Sequence, residues 1–72
     1  GIERRAALEQ AWFEKRVLRI RYRGADELIT ERRVRLLRIV MERSETRINA
    51  HDLDKDASRQ FLLDRIEKAT VE

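Results

Sequence analysis

The sequence predicts a mainly β, α+β module: one N-terminal helix followed by five short antiparallel strands. Three observations carry that expectation. The apolar spacing changes from a helical period to a period of two at Val17, the apolar phase slips once inside a long second alternating run, and turn residues punctuate the chain at short intervals. A chain of 72 residues is one small domain that can build a single thin core. The whole of residues 1–72 is therefore read as one domain, a helix over 2–14 and a barrel over 17–71. It reads as a fragment of a longer protein, with Gly1 a remnant outside the natural chain.

Ile2 to Glu14 is rich in Ala, Leu, Glu, Gln and Arg, all good helix formers, and contains neither Gly nor Pro. Leu8, Ala11 and Trp12 recur at helical spacing and form an apolar stripe suited to covering a sheet, with Phe13 beside it. From Val17 the alternation is that of a strand: Leu18, Ile20 and Tyr22 share one face, and Arg19, Arg21 and Arg23 share the other. Gly24-Ala25-Asp26 supplies a turn, with Gly24 free to take a positive φ. The second strand is long, about residues 28–42. Its apolar phase runs through Thr30, Val34 and Leu36, then shifts to Leu37, Ile39 and Met41. Such a slip means a bulge or sharp bend, which lets one strand serve two faces of a barrel.

Ser44-Glu45 forms the next turn, and a third strand follows in which Ile48 and Ala50, with Leu53 a candidate for the same set, alternate with Arg47, Asn49 and His51. Asp54 to Ser58 is a polar connection, and residues 59–63 are a fourth strand with Phe61 and Leu63 in phase. Asp64-Arg65 turns into a fifth strand over 66–71. A helix and five short strands, the second sharply bent, suggest an SH3-like or Sm-like barrel.

Composition narrows the function. Seventeen basic and fourteen acidic side chains give a net charge of +3. The excess is concentrated: residues 15–47 hold eleven bases and five acids, while the segments on either side are net acidic. A basic middle between acidic flanks implies an electrostatic footprint on one part of the surface. Fourteen of the seventeen bases are Arg, the residue that pairs with phosphate through a planar fork. Arg19, Arg21, Arg23, Arg32, Arg33, Arg35 and Arg38 fall on adjacent strands and are expected to cluster across the sheet. Pairs with Glu27, Glu31, Glu42 and Glu45 would neutralise part of that charge, not all of it. Cysteine is absent, so there is no disulfide and no thiolate metal site, which fits a reducing cytoplasm.

Catalytic chemistry finds little support. One His, no Cys and two Ser in expected turns leave no nucleophile–base pair that spacing can defend, so the chain is not expected to be an enzyme. Asp52-Leu53-Asp54-Lys55-Asp56 opens like a calcium loop, but Ala57 stands where the sharp turn needs Gly and Leu63 where a bidentate Glu is needed. These acids are read as a solvated hairpin tip, and neither a metal nor a cofactor is expected.

Three segments resemble the WYL domain, a bacterial Sm-like or SH3-like module joined to helix-turn-helix transcription factors and to some helicases and defence proteins. Ile20-Arg21-Tyr22-Arg23 is similar to the family's first-strand I-x-Y-R, and Arg32-Arg33-Val34-Arg35-Leu36-Leu37-Arg38-Ile39 to its R-x-V-x-P-L-x-L. Arg59-Gln60-Phe61-Leu62-Leu63-Asp64-Arg65-Ile66 is similar to R-x-F-R-L-D-R-I, the most specific of the three, and the likeness spans about residues 7–71. The chain departs from the pattern where the naming tripeptide aligns with Thr46-Arg47-Ile48, where Leu36 replaces the Pro, and where Leu62 replaces the second Arg. The resemblance implies a nucleotide or single-stranded nucleic acid bound through Tyr22, Arg23, Arg32, Arg47, His51 and Arg59, and the switching of an attached domain. Arg19, Arg21, Arg33 and Arg35 would support that site as a basic face. Asp64-Arg65 is read as structural, pinning the turn between the fourth and fifth strands.

The expectation is a cytoplasmic regulatory module that binds single-stranded nucleic acid or a nucleotide and does not enter a membrane. The alternative is a protein-interaction or dimerisation module, with an attached domain or a second copy of the chain as partner, in which the outward Leu62 is a contact. Arg47 is expected to point away from the core, either toward an anion or into pairs with Glu42 or Glu45.

Overall fold

The computed structural model describes residues 2–72; Gly1 lies outside the described residues. Helix α1 (Ile2–Glu14) is followed by five strands: β1 (Leu18–Arg23), β2 (Ile29–Met41), β3 (Thr46–Asp52), β4 (Ala57–Leu62) and β5 (Ile66–Val71). A 3-10 turn, Leu63–Arg65, links β4 to β5. The sheet is antiparallel in the order β4-β3-β2-β1-β5.

α1 stops where Lys15 takes a left-handed φ of 54°. The Arg16 amide then donates to the Ala11 carbonyl at 3.1 Å, closing a Schellman-type cap without glycine. The apolar seam of the helix is Leu8 and Ala11, both buried, with Ala7 partly so. Trp12 sits outside it with 38% exposure, because consecutive helix positions are rotated by ~100° and Ala7, not Trp12, completes the stripe. The helix packs chiefly on β5, where the Arg4 guanidinium donates to the Ile66 carbonyl at 2.6 Å.

The β1–β2 turn differs from expectation in one residue. Glu27 carries the positive φ of 69°, and Gly24 does not. The Glu27 amide donates to the Gly24 carbonyl, so a left-handed residue closes the turn, as is common in hairpin loops longer than two residues. Gly24 serves space instead: a Cβ there would lie 3.0 Å from Asp26 Oδ1, the atom that accepts the Leu28 amide. Arg65 pins this turn, donating to the carbonyls of Arg23 at 3.2 Å and Gly24 at 2.8 Å.

The phase slip in β2 is a register shift against β3 between Leu36 and Arg38. Before it, Val34 and Leu36 face Asp52 and Ala50; after it, Ile39 faces Ile48. The sheet curls as a result. Tyr22 on β1 and Phe61 on β4 are three strand spacings apart in the order, roughly 14 Å in a flat sheet. Their ring centroids are 4.9 Å apart, edge to face, and the Leu62 amide donates to the Tyr22 hydroxyl at 3.0 Å. That contact folds the inner face around Leu18, Ile20, Val34, Ile48, Ala50, Phe61 and Ile66, with Leu8 and Ala11 of α1 joining the same cluster.

The hydroxyl of Tyr22 is therefore a structural acceptor. Tyr22→Phe keeps the ring and leaves the Leu62 amide without its partner, so it should cost about 1–2 kcal/mol in chemical denaturation. A variant as stable as the parent would show that the curl does not depend on this bond.

Candidate functional site

Strand alternation divides the polar residues between two faces. On the inner face one row crosses the whole sheet: Ala57, Asp52, Val34, Leu18 and Val71. Four of these are apolar and the fifth is a carboxylate with no solvent exposure. Asp52 Oδ1 accepts the amides of Asp54 at 3.1 Å and Lys55 at 3.2 Å, which shapes the β3–β4 turn. Its Oδ2 accepts from Arg32 Nη1 at 2.9 Å, and Arg59 Nε approaches the same oxygen at 3.8 Å. Burial pushes the Asp52 carboxyl up, but the Arg32 hydrogen bond and charge and the two amides outweigh it and hold it below the usual carboxylate range. Asp52 is thus not part of a solvated hairpin tip. Among the described residues no group of His, Cys, Asp or Glu is placed to hold a metal ion.

The resemblance-derived residues do not come together as one site. Tyr22, Arg32 and Arg59 belong to the inner face, opposite Thr30, Ile20 and Ala50. Arg47 and His51 belong to the outer face. Arg23 lies at the far end of β1, within 3.1 Å of Glu27 and 3.7 Å of Glu67. The expected cluster of seven arginines is likewise split. Arg32 and Arg33 are consecutive in a strand, so they must face opposite ways, and Arg32 turns inward to Asp52.

On the outer face the arginines of β1 and β2 are largely matched by acids. Arg19 and Arg33 stand opposite each other in register, with Glu72 between them: bidentate to Arg33 at 2.8 Å and 3.5 Å from Arg19. The Arg33 hydrogen bond holds the Glu72 carboxyl low, and the same bond raises Arg33. Arg21 pairs with Glu31 at 3.4 Å. Arg47 is held between Glu42 at 3.0 Å and Glu45 at 2.6 Å, and also reaches Gln60.

The next two rows differ. They read Ser58–His51–Arg35 and Gln60–Asn49–Arg38 across β4, β3 and β2. His51 Nε2 lies 3.0 Å from Asp56 on the neighbouring turn, and no hydrogen bond joins His51 to Ser58 among the described residues. Arg35 donates to the Lys15 carbonyl at 3.1 Å. Arg38 has no ion-pair partner among the described residues. Leu37, Arg38, Asn49, Ser58, Arg59 and Gln60 line an open pocket of about 590 Å³, with no carboxylate in its wall. The Gln60 amide donates to Asn49 Oδ1 at 3.3 Å across its floor. Asn49, Ser58 and Gln60 carry no site signal in the sequence, and Arg38 stands out there only as one of seven arginines expected to cluster. Only the bulge at Leu37 brings Arg38 into line with Asn49 and Gln60, and a plain alternating count past Leu36 would place it one residue out of register.

The WYL domain family model matches residues 3–71. In structure the chain is similar to the proteasome accessory factor B/C (PafBC) of Arthrobacter aurescens, with a TM-score of 0.83 and 37% identity over 93% of this chain. The chain spans 11% of that protein's length. No curated protein matches it. Among the described residues no helix is long and apolar enough to cross a membrane.

Two outcomes follow from this geometry. Asp52 is ionised more readily folded than unfolded, so its contribution is present above the unfolded aspartate range near ~3.9 and lost as pH falls through its lower folded value. Arg32→Met should cost about 3 kcal/mol in denaturant unfolding at neutral pH and move the acid-unfolding midpoint upward; an unchanged midpoint would remove Asp52 from that role. Arg47→Ala breaks only partly exposed pairs and should change stability by less than about 1 kcal/mol, read by thermal melting.

Proposed function

The chain belongs to the WYL domain family, and from that premise we propose that it is a regulatory sensing module which captures a single-stranded nucleic acid or a nucleotide on the outer face of β2, β3 and β4 and so controls an attached domain. The observation that carries this reading is the pocket that Arg38, Asn49, Ser58 and Gln60 form on the outer face, with the inner-face Arg59 of the edge strand β4 also in its lining and no acid in its wall. Arg38 would take phosphate oxygens through charge-assisted hydrogen bonds. Asn49, Gln60 and Ser58 offer both donors and acceptors to a sugar or base edge. His51 and Arg35 extend the same face by one row.

The role that the resemblance gives to Tyr22, Arg23, Arg32 and Arg47 is reassigned in this proposal. Each already serves the chain: Tyr22 and Arg32 hold the inner face, and Arg23 and Arg47 are engaged by nearby acids. The aromatic platforms that make single-strand binding tight are absent from the pocket wall. Affinity would therefore come from phosphate, weak and steeply dependent on salt.

A second reading has its own support. Phe13, Leu28, Ile29 and Met41 are all more than half exposed, and Leu62 is half-buried on the outer face beside Arg47. Such residues suit packing against a partner domain or a second copy.

Titration with single-stranded oligonucleotide at low and high salt separates the two. Binding should weaken as salt rises, and Arg38→Ala should lower affinity and make the logarithmic salt slope shallower by about 0.7, the loss of one phosphate contact. No binding even at low salt would end the nucleic-acid reading for a strand. A concentration-dependent dimer in sedimentation, without oligonucleotide affinity, would establish the second reading.

A further inference from the structure

Where the end of α1 meets β2 at its bulge, Ala11, Trp12, Leu36 and Leu37 floor an open groove of about 550 Å³. Its rim is Lys15, Arg16 and Arg35, and no carboxylate lines it. We propose that this groove is a docking site for an acidic segment of a partner polypeptide, anchored by an apolar side chain laid on Trp12 and Leu37. The proposal goes beyond the reading given above: its groove shares Leu37 with the Arg38 pocket and takes as a rim residue Arg35, which borders that face by one row, while Ala11, Trp12, Lys15, Arg16 and Leu36 belong to the groove alone.

Exposure in the groove is built in rather than incidental. The bulge turns Leu37 outward, leaving it 52% exposed, and the seam of α1 leaves Trp12 at its rim. The two apolar groups thereby face a shared concavity, of a volume suited to one or two side chains. Charge complementarity selects the partner. Arg35 is oriented by the Lys15 carbonyl at 3.1 Å, and Arg16 by the Glu72 carbonyl at 2.8 Å. Lys15 makes no ion pair among the described residues.

The same geometry disfavours a nucleic-acid strand here. The rim cations surround the C-terminal end of α1, whose carbonyls carry partial negative charge and offset part of their field. Arg16 is also matched by Glu14 at 3.2 Å. A moderate positive potential over a mostly apolar floor suits a few carboxylates spaced along a peptide. It does not suit the dense charge of a phosphate backbone.

Trp12 is the only tryptophan, so its emission reports the groove directly. The 72-residue chain is titrated with a panel of blocked peptides that combine Asp and Glu with one Leu or Phe at varied spacing. A matched panel with Asn and Gln, and an oligothymidylate, are run beside it. The acidic peptides should shift Trp12 emission saturably, with the neutral panel on the order of 10-fold weaker. Leu37→Ser and Arg35→Gln, both at exposed positions, should each weaken binding several-fold with an unchanged far-UV spectrum, while Arg38→Ala binds as the parent does. The proposal is overturned if no acidic peptide moves the emission at about 1 mM, or if the two groove variants bind as well as the parent. An oligothymidylate that shifts Trp12 would assign the groove to nucleic acid instead, and emission that changes with protein concentration alone would assign it to a second copy.

Discussion

The carboxylate of Asp52 is the constraint on which the rest of this structure depends. A buried charge is tolerated only when it is paired and its lone pairs are satisfied, and Asp52 meets both conditions with local and distant partners. Its two turn amides lie two and three residues ahead, whereas Arg32 lies twenty residues back, on β2. One side chain thus fixes the β3–β4 turn and fastens it to the middle of the sheet. The row that contains it, from Ala57 to Val71, is otherwise apolar, and the carboxylate is fully buried while Arg32 keeps 21% of its side chain exposed. Whatever the outer face does, its strands are positioned by this inner pair.

The outer face is set by a second economy of charge. Stacked arginines on neighbouring strands repel unless an acid stands between them. Glu72 does this for Arg19 and Arg33, while Arg21 pairs with Glu31 across the strands and Arg47 with Glu42 and Glu45. Of the arginines on this face of β2, Arg35 and Arg38, on either side of the bulge, have no ion-pair partner among the described residues. Function is read there because charge is uncompensated there, and not because arginine is abundant.

The bulge itself connects fold and surface. By shifting the register between Leu36 and Arg38 it lets β2 bend, lines Arg38 up with Asn49 and Gln60, and turns Leu37 out to the surface. Two cavities of different character meet at Leu37, one polar and cationic, the other apolar and rimmed by cations. A single extra residue in one strand therefore shapes both of the surfaces on which binding is proposed.

Much of this was legible in the sequence. The change of period at Val17 marks the helix-to-sheet boundary, and the phase slip at Leu36-Leu37 marks the bulge, because burial imposes a period on whichever residues must face the core. The resemblance read from the Arg59–Ile66 segment agrees with the family model over residues 3–71, whereas Arg65 holds the distant β1–β2 turn rather than its own. What the sequence left open is which charges meet. Alternation assigns a residue to a face, but partners are chosen across strands, by register and by curl. That is why Arg32 and Arg33, adjacent in the chain, end on a buried aspartate and on Glu72. It is also why Asp52 is buried in a run of acids that looks solvent-exposed, and why six residues expected to form one site are divided between two sides of the sheet. Local pattern reads the period of the backbone; only the folded chain decides which uncompensated charge is left facing the solvent.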